Sequence, residues 1–153
     1  MGTHRKTISL LAAGILAGVV LAVLTAAGYH YAGSTEFCAS CHSMGDAHRE
    51  WQHSMHKSFA CIECHMPDAG AFTRFSYKAK AGLLDFYHES LRDYPAAISL
   101  SEEGRKIAEG NCLRCHRATV ENTFMIRQPP GNCTACHRDL VHGQGIPTGR
   151  AVP

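Results

Sequence analysis

Cys38-Ala39-Ser40-Cys41-His42-Ser43-Met44 is the stretch from which the rest of the chain can be read. Cys-x-x-Cys-His is the attachment signature of a c-type haem. Its two thiols add across the two vinyl groups of one porphyrin, and the two-residue gap lets both sulfurs reach the same edge. The next residue, His42, then stands where an imidazole nitrogen meets the iron. The motif returns at Cys61-Ile62-Glu63-Cys64-His65, Cys112-Leu113-Arg114-Cys115-His116 and Cys133-Thr134-Ala135-Cys136-His137. Only the first carries a methionine, Met44, two residues beyond its histidine.

All eight cysteines fall in these four motifs. Cys-x-x-Cys knuckles also hold zinc, but zinc does not ask for a histidine directly after every second cysteine, and all four motifs have one. A disulfide within one motif is a strained closure and leaves the histidines without a role. Four covalent haems are therefore expected, on Cys38 and Cys41, Cys61 and Cys64, Cys112 and Cys115, and Cys133 and Cys136. A domain this small has a thin core of its own. Four large apolar plates change that, so the haems are expected to be the core and the haem-free chain to fold poorly.

Of the 15 Lys and Arg, Arg5 and Lys6 are the only charged side chains before Glu36, histidines aside; the remaining 13 balance the 13 Asp and Glu. No basic stripe of the kind that follows nucleic-acid phosphates is present, which excludes a nucleic-acid partner.

Ile8 to Ala27 is an uncharged apolar run, and about 20 such residues span a bilayer as a helix. His4, Arg5 and Lys6 precede it, which favours a cytoplasmic amino terminus and, in a bacterium, a periplasmic haem domain. A cleaved signal peptide is the competing reading: its apolar region is usually about 7–15 residues long, and Thr25-Ala26-Ala27 offers a small-residue site. Gly14, Gly18 and Ala22 share one face, a spacing compatible with close helix pairing and a homodimer, or with a plain anchor. Tyr29 and Tyr31 suit the outer interface.

Beyond the short linker Gly33-Ser34-Thr35, Asp46 is a plausible N-cap for a helix running to about Lys57. It carries His48, His53 and His56. His56 is expected to be an axial ligand, because a haem iron needs a partner on each face; His48 and His53 read as solvated. From Ala69 to Tyr94 there is no proline, and Phe72, Phe75, Ala79, Leu83 and Phe86 recur at helical spacing. This long helix either packs on haem or lies at the bilayer surface. Lys78 and Asp85, two turns apart on it, project the same way. Ser99-Leu100-Ser101-Glu102 resembles a capping box opening a short helix to Glu109, with Gly110 as its stop. Pro129-Pro130-Gly131 breaks the chain before the fourth motif. His142 is too close to His137 to reach the other face of the same haem and is expected to ligate a neighbouring one.

The fold expected is mostly α: a cytoplasmic terminus (1–6), one transmembrane anchor (7–29), a tetrahaem domain (30–142) and a loose tail (143–153). Motifs one and two start 23 residues apart and motifs three and four 21 apart. That suggests two haem pairs, 38–65 and 112–137, joined by the helix over 69–94.

An anchor followed by Cys38-x-x-Cys41-His42-x-Met44, then His56, Cys61-x-x-Cys64-His65-Met66-Pro67, Lys78, Asp85 and Cys133-x-x-Cys136-His137-Arg138-x-Leu140-x-His142-Gly143, resembles the membrane-anchored multihaem quinol dehydrogenases of the NapC/NirT type, and among them those serving cytochrome c nitrite reductase. The resemblance implies that Met44, not His42, ligates haem 1, with Asp85 shielding its other face and Lys78 lining a menaquinol pocket. It implies His116 and His142 on haem 3, His137 and His56 on haem 4, and His65 on haem 2 with a lysine from the partner subunit. His88 is the internal alternative for haem 2. The activity implied is menaquinol oxidation, with electrons passing through four haems to a periplasmic multihaem reductase that turns nitrite into ammonium. Two rival expectations are a soluble periplasmic tetrahaem carrier and the same dehydrogenase serving another terminal reductase. Nitrite reduction within this chain is not expected, because little protein is left to wall a substrate pocket.

Overall fold

The computed structural model describes residues 2–123, 133–137 and 139–143. The Pro129-Pro130-Gly131 break, Arg138 and residues 144–153 of the expected tail lie outside them. Among the described residues every regular element is helical.

Helix α1 (Gly2–Tyr31) has 30 residues and none of them is buried. It extends beyond the expected anchor at both ends and is long and apolar enough to cross a membrane. Gly14 and Gly18 face open space. At its far end Tyr29 stacks on Phe75 with ring centroids 5.9 Å apart, and Tyr31 meets Phe37 edge-on at 5.6 Å.

A single turn, α2 (Thr35–Cys38), is capped by the Ser34 hydroxyl, which accepts from the Phe37 amide. A 3-10 turn (His42–Met44) leads directly into α3 (Gly45–His53). Asp46 is not its N-cap; Met44 holds that position, and Asp46 pairs with Arg49 instead. The helix stops at Ser54, short of the expected Lys57. The Ser54 hydroxyl donates to Trp51 O at 2.8 Å and accepts from the His56 amide at 3.1 Å, offering the backbone a local alternative to helix. The Trp51 indole then bonds the carbonyls of His56 and Phe59, holding a loop that presents His56.

Helix α4 (Cys61–His65) is the second motif itself. Helix α5 (Ala71–Leu91) is the expected long helix, two residues shorter at its start and three at its end. It ends before Pro95 because Arg92 adopts a left-handed conformation (φ 54°) and the Asp93 amide closes onto His88 O at 2.9 Å, which satisfies the last-turn carbonyls. Phe72, Phe75, Leu83 and Phe86 stay exposed along it.

Helix α6 (Glu102–Val120) departs most from expectation. Ser101, not Ser99, is the N-cap, accepting from the Gly104 amide at 3.0 Å. The helix does not stop at Gly110 but runs through the third motif. A mid-helix glycine costs about 1 kcal/mol. Asn111 next to it is 4% exposed and donates to Cys64 O and Met66 O at 2.9 and 2.8 Å, anchoring that part of the helix on α4. Helix α7 (Cys133–His137) is the fourth motif.

Packing follows chain order: α2 against α4, α4 against α6, α6 against α7. The two motif pairs therefore meet directly at the α4–α6 contact. The only apolar side chains buried among the described residues are Met66 and Ala108, each 8% exposed.

Candidate haem-binding and redox site

The four motifs do not share one backbone. In α4, α6 and α7 both cysteines and the histidine lie on a single helix. Positions i, i+3 and i+4 of a helix share a face, so thiols and imidazole are presented together. In the first motif the helix ends at Cys38, Cys41 is extended (φ −81°, ψ 140°), and a 3-10 turn carries His42 and Met44. His42 is exposed and Met44 half-buried.

All eight thiols are free of disulfides, and among the described residues no group of three or more His, Cys, Asp or Glu converges to hold a metal ion. The Cys38 thiol hydrogen-bonds Cys61, which with burial pushes Cys38 up and draws Cys61 down to about 6. Cys64 and Cys112 are both pushed up, chiefly by burial; Cys115 lies beside the former, Cys133 and Cys64 beside the latter. Each motif thus has a sulfur neighbour in the next.

Two histidine pairs lie close together: His65 and His142 have tilted rings with centroids 6.1 Å apart, and His56 and His116 meet edge-on at 6.2 Å. His142 Nδ1 is engaged by Ala47 O at 3.0 Å, which leaves Nε2 for a metal and sets the ring's orientation. His56 Nδ1 is buried without a hydrogen-bond partner among the described residues. Burial, then the neighbouring His142, pushes His65 down, toward the neutral imidazole that binds iron. These residues fit haem. His137 is exposed. His88 Nδ1 is held by Asp93 O at 2.8 Å and His53 Nδ1 by Arg49 O at 2.7 Å, while His48 stacks on Trp51.

Lys78 and Asp85 both border the first motif. Lys78 Nζ donates to Tyr29 O at 2.5 Å and lies 4.1 Å over the Tyr29 ring, tying α5 to the end of α1. Burial pushes Lys78 down, opposed by the field of Cys38. A methyl group on Gly33 would meet Lys78 Nζ at 3.0 Å and Ile62 at 3.3 Å, so the linker passes closely beneath it. Burial pushes the Asp85 carboxyl above the ordinary carboxylate range, opposed by His88. Its charge is felt at Cys41.

The family model for the NapC/NirT cytochrome c family, N-terminal region, matches residues 1–147. This chain belongs to the NapC/NirT cytochrome c family. It is 33% identical over 89 residues to the cytochrome c-type protein NrfH of Wolinella succinogenes, an alignment covering 58% of this chain and half of that relative. It is 32% identical over 112 residues to the cytochrome c nitrite reductase subunit NrfH of Nitratidesulfovibrio vulgaris, covering 73% of this chain and 70% of that one. In solved structures it is similar to a chain in the crystal structure of the cytochrome c nitrite reductase NrfHA complex bound to the HQNO inhibitor. The TM-score is 0.72 at 30% identity, over 87% of this chain and 90% of that chain. The family read from the motifs is thus the family found, and with it the helical fold and haem as the cofactor.

Two residues of the site escape sequence reasoning. Glu89 accepts hydrogen bonds from the His42 and Ser43 amides at 2.7 and 3.4 Å. Asn111 joins the second motif to the third. Glu89 stands one turn beyond Asp85, so the helical spacing that singled out Lys78 and Asp85 contains it too. For Asn111 no local signal exists, since its partners are carbonyls more than 40 residues away.

Proposed function

We propose that this protein is a membrane-anchored menaquinol dehydrogenase. It takes electrons from menaquinol beside the first motif and passes them through four covalently attached c-type haems to a periplasmic multihaem nitrite reductase, on which nitrite becomes ammonium. The observation that carries the proposal is the position of Lys78 and Asp85: two turns apart on α5, both bordering the first motif, with Lys78 bound to the last turns of α1. A cation and a carboxylate close to the outer end of the anchor helix support a quinol site there. Its similarity to the two NrfH proteins supports the partner class. The charged amino-terminal end of α1 supports a cytoplasmic terminus.

Oxidising a quinol releases two electrons and two protons. The haems supply one-electron acceptors when bound. Asp85, its carboxyl raised toward neutrality, is placed to receive a quinol hydroxyl proton. Lys78 favours the anion that proton loss leaves behind. Phe75, Phe72 and Leu83 offer an apolar surface to a prenylated ring and to the lipid boundary.

Met44 remains our choice for the iron at the first motif. For the others, the scheme the resemblance implies is the one proposed: His65 would hold haem 2 with a lysine of the partner subunit, or with His88 as the internal alternative, His116 and His142 would hold haem 3, and His137 and His56 haem 4. The chain-order packing of α2, α4, α6 and α7 supports electron flow from haem 1 to haem 4.

The test is reduction of the purified, haem-loaded protein by menaquinol. Wild type should be reduced; Lys78→Leu and Asp85→Asn should be slowed with haem content unchanged. Equal rates in all three would remove the quinol site from α5.

A further inference from the structure

The first motif leaves its helix locally, where the Ser40 hydroxyl donates to Phe37 O at 2.7 Å and offers the backbone an alternative to helix. What holds the turn that follows lies 47 residues away. At the start of the 3-10 turn His42–Met44 the N-cap, Cys41, makes no side-chain cap. The first amides of such a turn have no partner within it. Glu89 supplies one from α5: Oε1 accepts from the His42 amide at 2.7 Å and Oε2 from the Ser43 amide at 3.4 Å. The Ser43 hydroxyl, with those amides, draws the carboxylate below its ordinary range. The arrangement is that of an N-cap aspartate or serine, delivered by a different helix.

The clamp has a consequence for the iron. With its amide bound to Glu89, His42 is out of helical register with Cys38 and Cys41, and Met44 closes the same turn half-buried. Glu89 also extends the face that holds Asp85 and Lys78, so the element that would meet quinol is the element that shapes the ligand turn.

We infer that Glu89 is the positioning residue that decides the axial ligand of haem 1, holding the 42–44 turn so that Met44 rather than His42 is delivered to the iron. This rests on Met44 being the ligand in the wild type.

The experiment compares wild type, Glu89→Gln, Glu89→Ala and Met44→Leu as full-length, haem-loaded proteins. Intact mass establishes four haems in each. Near-infrared magnetic circular dichroism and EPR read the sulfur ligand, and a redox titration reads haem 1. Thioether ligation raises a haem potential relative to imidazole. Glu89→Ala should lose the sulfur signature, gain an imidazole one, and lower the haem 1 potential. Glu89→Gln retains one acceptor oxygen and should keep part of the signature. An unchanged sulfur signature and potential in both Glu89 variants would overturn the inference. If wild type and Met44→Leu are spectroscopically identical, the ligand assignment itself fails, which the Glu89 variants alone would not reveal.

Discussion

The first and third motifs have the same five-residue pattern and are built in opposite ways. Cys112, Cys115 and His116 sit inside a 19-residue helix that is capped by Ser101 and fastened to its neighbour by Asn111. Cys38, Cys41 and His42 straddle the end of one short helix and the start of a turn, and that turn is held from outside by Glu89 on α5. A haem carried on a continuous helix inherits its ligand from the helix register. A haem carried on a clamped turn has a ligand chosen by the clamp. The teaching is that the pattern specifies attachment, while the backbone around it specifies the iron's environment. The exceptional environment is at the end of the chain of motifs that faces the membrane helix.

That contrast can be broken most severely by removing one haem at each end. Cys38→Ala with Cys41→Ala should abolish reduction by menaquinol while the remaining haems still respond to a chemical reductant. Cys133→Ala with Cys136→Ala should leave reduction by menaquinol intact and stop transfer to the reductase. Intact mass and visible spectra check both; reduction by menaquinol in the first variant would place electron input elsewhere.

A smaller effect is expected from Asp85→Asn. The unprotonated carboxylate is the proton acceptor, and its pKa lies above 3.8. Activity should therefore rise with pH through that raised pKa and fall as acid protonates the group. The variant should lose on the order of 10²-fold in rate, the low end for a positioned acid–base group, and lose that acidic limb. A pH–rate profile for wild type and variant decides it.

At the third motif the effects should be on stability alone. Asn111→Ala leaves Cys64 O and Met66 O unsatisfied in a buried place, at about 1–3 kcal/mol for each group. Ser101→Ala removes an exposed helix cap and should cost about 1 kcal/mol. Thermal denaturation of the haem-loaded variants measures both, and neither should alter the haem 1 spectrum.

How much of this was legible beforehand differs along the same line. The cysteines, the apolar anchor, the long helix and the Lys78–Asp85 face are local patterns, and the chain displays them directly. The family resemblance follows from them. Local pattern and structure part where distant residues decide. Gly110 reads as a helix stop, but α4 on one side of α6 outweighs its propensity. Asp46 reads as an N-cap, but the turn before it is already capped from α5. That the His56 ring lies against His116, and the His142 ring against His65, comes from how distant segments pack, which no spacing encodes. Glu89 was visible as a position on a face and invisible as a contact.

The functional face proposed for α5 toward the first motif is tested by the helix's own lysines. Lys78 meets Tyr29 and the first motif; Lys80, two residues on, pairs with Glu103 on α6 at 2.9 Å. The direct measurement is single-turnover reduction of the haem-loaded protein by menaquinol in Lys78→Leu and Lys80→Leu. Lys78→Leu should slow reduction by on the order of tenfold or more, the effect of losing one group that stabilises developing charge, while Lys80→Leu matches wild type. Equal rates for the two variants would contradict it.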